Sequence, residues 1–345
     1  MKKKLVYVMV FAGIILLGLV IQAKSSLFYP EAVIKVEQVT HEGNKQTLTG
    51  TLLNRSGQAT LETDYHENEG VHPLYRPGEQ LIIRKLGSQW QVLSLKRDGY
   101  VFMLLALFVW LVLLISGKGG ISALLGLALN SFLLVGFLWL HQASQWSLLG
   151  LMSVYTVVAV IVAMGTSYGF RNLDVRKLLG TLLSVFLAFF ICLLAMHWLK
   201  DDGLRYEELQ FITRPYRSVF LGGLLIGAIG ASMDNVVTII SSLDEIREKN
   251  PQLPLKQLLH SGQQIAQDTA SSMINVLMFA YLSGAIPAFV FYIANGWNFA
   301  DVMGMHLSLE ILRTLCGGFA IVLSVPLALA AFGVAEGIQE RRPTK

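Results

Sequence analysis

Seven apolar runs follow one another through the last two thirds of the chain, at about 99–116, 121–140, 147–165, 178–199, 218–242, 269–293 and 307–333. A helix crossing roughly 30 Å of hydrocarbon needs about 20 such residues, so each run has the length of a span. An eighth, Leu5 to Ile21, follows Lys2-Lys3-Lys4. It reads as a retained anchor over residues 1–23 rather than a signal peptide. Cleavage after Ala23 would place the bulky Ile21 where a small residue is needed. Only 14% of the 345 residues are charged and 54% are hydrophobic, whereas a soluble domain is about 25% charged. The expected fold class is an α-helical integral membrane protein with about eight transmembrane helices.

Between the first two spans the character changes. Residues 24–98 are polar and turn-rich, with short β-type runs at Ala32–Val39, Thr47–Leu53, Ala59–Thr63, Gln80–Lys85 and Gln89–Leu95. Gly43-Asn44, Asn54-Arg55-Ser56-Gly57, Arg76-Pro77-Gly78 and Gly87-Ser88 punctuate them as turns. Five short strands in so few residues suggest a small β-rich domain, with an OB-like barrel as one form. Nine basic and nine acidic side chains balance in it, so nothing draws it to nucleic acid.

Orientation follows from the basic residues of the loops. With the N-terminus cytoplasmic, Lys118, Arg171, Arg176, Lys177, Arg247, Lys249 and Lys256 fall inside, as do Arg341, Arg342 and Lys345. The β-rich domain is then extracytoplasmic, residues 99–335 form a seven-helix membrane domain, and 336–345 are a cytoplasmic tail.

Function should appear where polarity is kept inside lipid at a cost. An Asp at a helix centre costs about 2.5–3.5 kcal/mol on insertion scales, and such residues face protein or a water-lined interior. The sixth run has Asp234, Thr238 and Ser241 on one helical face, with Asn235 beside them. Above them Gly223, Gly227 and Ala231 recur at every fourth position, a stripe that permits close helix packing. The seventh run has Asp268, Ser272 and Asn275 on one face. Before it, Leu255, Leu258, Leu259 and Ile265 with polar residues between suggest an amphipathic helix on the inner leaflet. The last run opens with Glu310 and Arg313, three residues apart and able to pair. Each group has a plain structural reading: a packing seam, a helix-terminal charge and a salt bridge, respectively.

Other chemistry is thin. Cys192 and Cys316 both lie in apolar runs and fit no metal or redox spacing. His66 and His72 stand among Glu62, Asp64, Glu67 and Glu69, a composition better read as an acidic loop than as a metal site. No HExxH, GxSxG, Walker A or Rossmann signature occurs. No cofactor and no metal is expected.

Several stretches carry a resemblance: GAIGASMDN (227–235), SSLDEIREKNP (241–251), SGQQIAQD (261–268), LMFAYLSGAIP (277–287) and LEILRTLCGGFAIVLSVP (309–326). With KRDGYVFMLLALF (96–108) and GKGGISALLGL (117–127), they make the chain resemble the YibE/F-like family of bacterial membrane proteins. On that resemblance Asp234, Glu245, Asn250, Asp268, Asn275, Tyr281, Pro287, Glu310, Arg313 and Pro326 match the family pattern, and GFRNLDVRKLLGT (169–181) departs towards an acidic turn. It bears on topology far more than on activity.

Three function classes follow. The leading one is a secondary transporter or exporter of a small solute or ion. Asp234, Asp268 and Glu310 would form a relay, with Asn235, Thr238 and Asn275 as polar ligands and Ser272 and Arg313 also on the pathway. The alternative is a non-transporting anchor or assembly component whose β-rich domain binds a partner or envelope ligand. An intramembrane enzyme using Asp234 and Asp268 is the third, and no peptidase signature supports it. The expected partners are the lipid bilayer and either a second membrane subunit or further copies of the chain.

Overall fold

The computed structural model describes residues 2–24, 26, 29–64, 74–87, 89–206 and 216–340. It divides into two compact units, Met1–Gly120 and Ile121–Lys345.

The first unit starts with helix α1 (Lys2–Lys24) and ends with α2 (Asp98–Ser116) and the start of α3 (Lys118–Ser144). Between α1 and α2 lie the five expected strands: β1 (Ala32–Glu42), β2 (Lys45–Leu52), β3 (Gln58–Asp64), β4 (Gln80–Leu86) and β5 (Gln89–Leu95). All neighbours are antiparallel, in the order β3-β2-β1-β4-β5. Alternating residues point inward, as a half-buried strand requires. Ala32, Ile34 and Val36 from β1 meet Leu48, Ala59, Leu61, Leu81 and Ile83 in one buried core. The pairing Val36↔Gly50 just precedes a register shift in β1. A side chain at Gly50 would overlap the Lys35 carbonyl there, so only glycine fits. Asn54 anchors the β2–β3 turn, accepting from the Val33 amide and donating to the carbonyls of Tyr29 and Glu31. The sheet curls until its edge strands, β3 and β5, approach one another.

The two helices of this unit are tied at the sheet. The Gln22 side chain donates to the Lys96 carbonyl at 3.1 Å and accepts the Gly99 amide at 2.9 Å. Helix ends leave backbone groups unpaired. These bonds occupy one amide of the first turn of α2, while Lys96 occupies a carbonyl of the last turn of α1. A side chain at Gly99 would strike the Gly18 carbonyl, so α1 and α2 cross backbone to backbone.

The second unit holds the rest of α3, then α4 (Leu148–Tyr168), α5 (Val175–Trp198), α6 (Tyr216–Lys249), α7 (Leu255–Ala294), the short α8 (Phe299–His306) and α9 (Ser308–Glu340). Ser147 caps α4 and Asp174 caps α5, each by accepting a first-turn amide. Among the described residues seven helices, α2 to α7 and α9, are long and apolar enough to cross a membrane. The expected first span lies in α1, whose described apolar part, Met9–Lys24, is shorter than a span.

Helix lengths correct one expectation. The amphipathic segment before the seventh run is no separate surface helix: α7 is continuous over 40 residues from Leu255 to Ala294. Nothing between Pro254 and Pro287 breaks it, and Gly262 fits against Leu243 of α6 and Leu329 of α9. At 1.5 Å per residue, 40 residues extend about 60 Å, twice the hydrocarbon thickness. Helices α6 and α9, with 34 and 33 residues, also exceed it. Their shared end has its own buried core of Val236, Ile239, Ile240, Leu243, Leu258, Ala266, Ala328 and Phe332. The ion pairs Arg176–Asp244 and Arg247–Glu336 lie at this end, which is called the basic end below.

Candidate functional site

The polar residues of α6 divide between two faces. Asn235 is fully buried, and its amide donates to the Ser324 hydroxyl at 2.6 Å and the Ile321 carbonyl at 3.2 Å, both on α9. Ser232, also buried, reaches the Thr181 carbonyl of α5. These two residues therefore hold α6 against α5 and α9. Asp234 lies on the other face and is exposed. Thr238 donates back to the Asp234 main-chain carbonyl at 2.8 Å, not to its carboxylate. Among the described residues no basic side chain pairs with Asp234.

What surrounds that carboxylate comes from helices that sequence spacing did not connect to it. Tyr168, the last residue of α4, is within electrostatic reach of Asp234. The Lys177 ammonium lies 4.9 Å from the centre of the Tyr168 ring and donates to Ser241 of α6 at 2.8 Å. A cavity of about 260 Å³ adjoins them, lined by Met164, Tyr168, Asn172, Leu173, Asp174 and Lys177. Asp174 and Asp244 both pair with Arg176 at its edge. Depth follows from the α5–α6 contacts: Asp234 is level with Gly180 and Thr181, some five residues or roughly 8 Å into α5. That is about one and a half turns inside the basic end, at the margin of the apolar region.

The other expected groups are placed apart. Glu310 and Arg313 form the anticipated pair, with the guanidinium donating to both carboxylate oxygens at 2.6 Å. The guanidinium lies 5.5 Å from the Phe220 ring centre and 5.7 Å from that of Tyr281. Because Asn235 meets α9 at Ile321 and Ser324, Glu310 stands about three turns, roughly 18 Å, from the level of Asp234. Asp268, Ser272 and Asn275 are exposed on α7. With Gly262 fixed against Leu243, Asp268 lies within about a turn of Asp234 in depth. The three carboxylates are thus not gathered at one point. In the small-residue stripe, Gly227 is approached by the Tyr281 hydroxyl, Gly223 faces open space and Ala231 is half-buried.

Tyr168, Lys177 and Ser324 escaped the sequence reading. Lys177 counted there only as a loop charge, although its position just before an apolar run was a signal that it sits at a lipid margin. Ser324 was hidden as a single hydroxyl in an apolar stretch. Among the described residues no cluster of three His, Cys, Asp or Glu could hold a metal ion. His66 and His72 lie outside the described residues.

No curated protein and no solved structure matches the chain. A family model does, from within α2 to the last turns of α9, so that the strands fall outside the match and Asp234, Lys177, Asp268 and Glu310 fall within it. With residues 104–336 matched by the model described as YibE/F-like protein, the chain belongs to the YibE/F-like family.

Proposed function

We propose that the protein is a membrane carrier of a small solute or ion, with Asp234 as its proton- or cation-coupling carboxylate. The observation that supports this reading most directly is Asp234 at the margin of the apolar region, unpaired among the described residues and within electrostatic reach of Tyr168, which lines a cavity with Lys177. A carboxylate in such a place is costly as a charge and cheap to protonate, and a coupling group must alternate between those two states. Lys177, already bonded to Ser241, is placed to accept an anionic solute or to compensate Asp234 when it ionises. The basic end faces the cytoplasm in this reading, so Asp234 is reached from inside. Asp268, Ser272 and Asn275 continue the polar face on α7. A second membrane subunit or another copy of the chain is what would cover them in lipid.

The test is flux into proteoliposomes under a proton or sodium gradient, with metal ions, amino acids and inorganic anions as solutes. Gradient-dependent flux lost in Asp234→Asn and in Lys177→Met supports the reading. Normal flux in Asp234→Asn removes that residue from the coupling role.

A second reading rests on a separate observation in the first unit. The side of the sheet where β3 and β5 approach bears a groove of about 980 Å³, lined by Lys45, Glu62, Asp64, Tyr75, Trp90 and Arg97 among others. The strand order and the approach of β3 to β5, which run parallel, fit an OB-like barrel. In this reading the barrel binds an extracytoplasmic partner or envelope ligand and the helices anchor it. Unchanged cellular function after deletion of residues 31–97 would sink it.

A further inference from the structure

At the basic end α7 and α9 enclose a second groove, of about 610 Å³, lined by Leu255, Lys256, Leu259, His260, Gln263, Leu329, Ala330, Gly333 and Val334. Gly333 of α9 lies on its floor, and a Cβ there would make ordinary contact with the end of Leu259 of α7 at 3.6 Å. The walls are apolar, yet they are open to the surroundings, and Val334 is 63% exposed. Water is a poor neighbour for such a surface.

One rim differs from the rest. Lys256 and His260 stand four residues apart on α7, so both project along the same edge. Both are exposed, and among the described residues neither has an acidic partner. Three other cations of this end are committed to carboxylates: Arg176 to Asp174 and Asp244, Arg247 to Glu336, and Lys249 to Glu245. The groove thus combines an apolar trough with an unneutralised cationic edge, at the level where the apolar rows of α7 and α9 give way to charge. The volume is in the range of a site for a single small ligand.

We propose that this groove holds one anionic phospholipid. Its acyl chain lies along Leu259, Leu329, Ala330 and Val334, and its phosphate meets Lys256 and His260. A zwitterionic lipid carries the same chains, but its own cationic group opposes the Lys256 edge, so the site discriminates by headgroup charge. The inference needs the helices to be embedded in a bilayer, as the proposed function does, but it does not need the protein to transport anything.

The test uses the full chain, purified in neutral detergent and titrated with phosphatidylglycerol or phosphatidylcholine, with bound lipid counted by native mass spectrometry. Wild type should retain phosphatidylglycerol several-fold better than phosphatidylcholine. Lys256→Ala with His260→Ala should abolish that preference, and Lys256→Arg should keep it. Gly333→Phe, which fills the trough and leaves the rim, should reduce retention of both lipids. Equal retention of the two lipids by wild type would overturn the proposal, as would a preference that survives the double substitution. Glycerol phosphate serves as the headgroup without chains. If it protects against thermal unfolding as well as the lipid does, the ligand is a soluble phosphate ester and the lipid site is refuted. Flux plays no part in these readouts, so failure here is distinct from failure of the carrier reading.

Discussion

The ammonium of Lys96 donates a hydrogen bond of 2.6 Å to the main-chain carbonyl of Gln22, 74 residues earlier in the chain. Lys96 is 2% exposed, and its acidic neighbour among the described residues is Asp98 at 3.6 Å. Burial holds its pKa below the usual lysine value, against the pull of Asp98. Together with the two bonds of the Gln22 side chain, this contact closes the end of α1 onto the start of α2.

Gln22→Leu should therefore destabilise the protein more than a surface change would. It strands the Gly99 amide and the Lys96 carbonyl, at about 1–3 kcal/mol for each group left unpaired. A lowered unfolding temperature in detergent is the expected result. Lys96→Met, which removes a buried charge and keeps the bulk, should cost less than Lys96→Ala. An unchanged transition in Gln22→Leu would mean that the two helices are not joined there.

Tyr29 gives the same junction a pH dependence. Its hydroxyl donates to Asp98 at 2.6 Å, and this bond, with burial and the nearby negative charge, raises its pKa to about 12 from the ordinary 10. A group whose folded pKa is raised keeps its proton longer in the folded state. The stability it contributes is thus complete below pH 10 and lost as pH rises towards 12. Lys96 works in the opposite sense, its penalty easing as pH rises towards 10.5. Wild type should lose more stability than Tyr29→Phe between these limits. The phenolate absorbance of wild type should also show one late-titrating tyrosine that Tyr29→Phe lacks.

Asn235 and Ser324 should be energetically coupled, because one amide spans the two helices inside a buried core. Asn235→Leu should cost roughly 1–3 kcal/mol and Ser324→Ala about 1 kcal/mol. In a double-mutant cycle read by thermal or denaturant unfolding, the pair should cost less than the sum, with a coupling of at least about 0.5 kcal/mol. Strict additivity would place the Asn235 side chain elsewhere.

Cys192 of α5 and Cys316 of α9 are both buried and belong to one core across the α5–α9 seam. The helices are antiparallel there, and a Cβ at Gly180 would lie 3.8 Å from Ala328. Moving twelve residues along each helix from that contact reaches the two cysteines, so their register has an independent support. A membrane-permeant copper oxidant should remove both thiols together from titration in denaturant, and Cys192→Ser should retain its remaining thiol. Two thiols left in oxidised wild type would disprove that register.

The long apolar runs determined by themselves that most of the chain is helical and of membrane length, because lipid offers the backbone no partner outside the helix. The alternating pattern of residues 32–95 likewise determined five strands, since a half-buried strand must alternate. Sequence also separated Glu310 and Arg313 as a pair, their spacing being local. It could not say which of two adjacent polar residues faces inward. Asp234 and Asn235 differ by about 100° around α6, and only the packing of α5 and α9 made Asn235 the buried one. Nor could it bring Lys177 and Tyr168 to Asp234, or Lys96 to Gln22. Those meetings depend on the order in which helices pack and on glycines: Gly99 lets two backbones touch, and Gly262 makes room for the Leu243 and Leu329 side chains. Periodicity within one segment decides what kind of element forms. Which elements become neighbours, and which of their polar groups find partners, is decided by close packing across the whole fold.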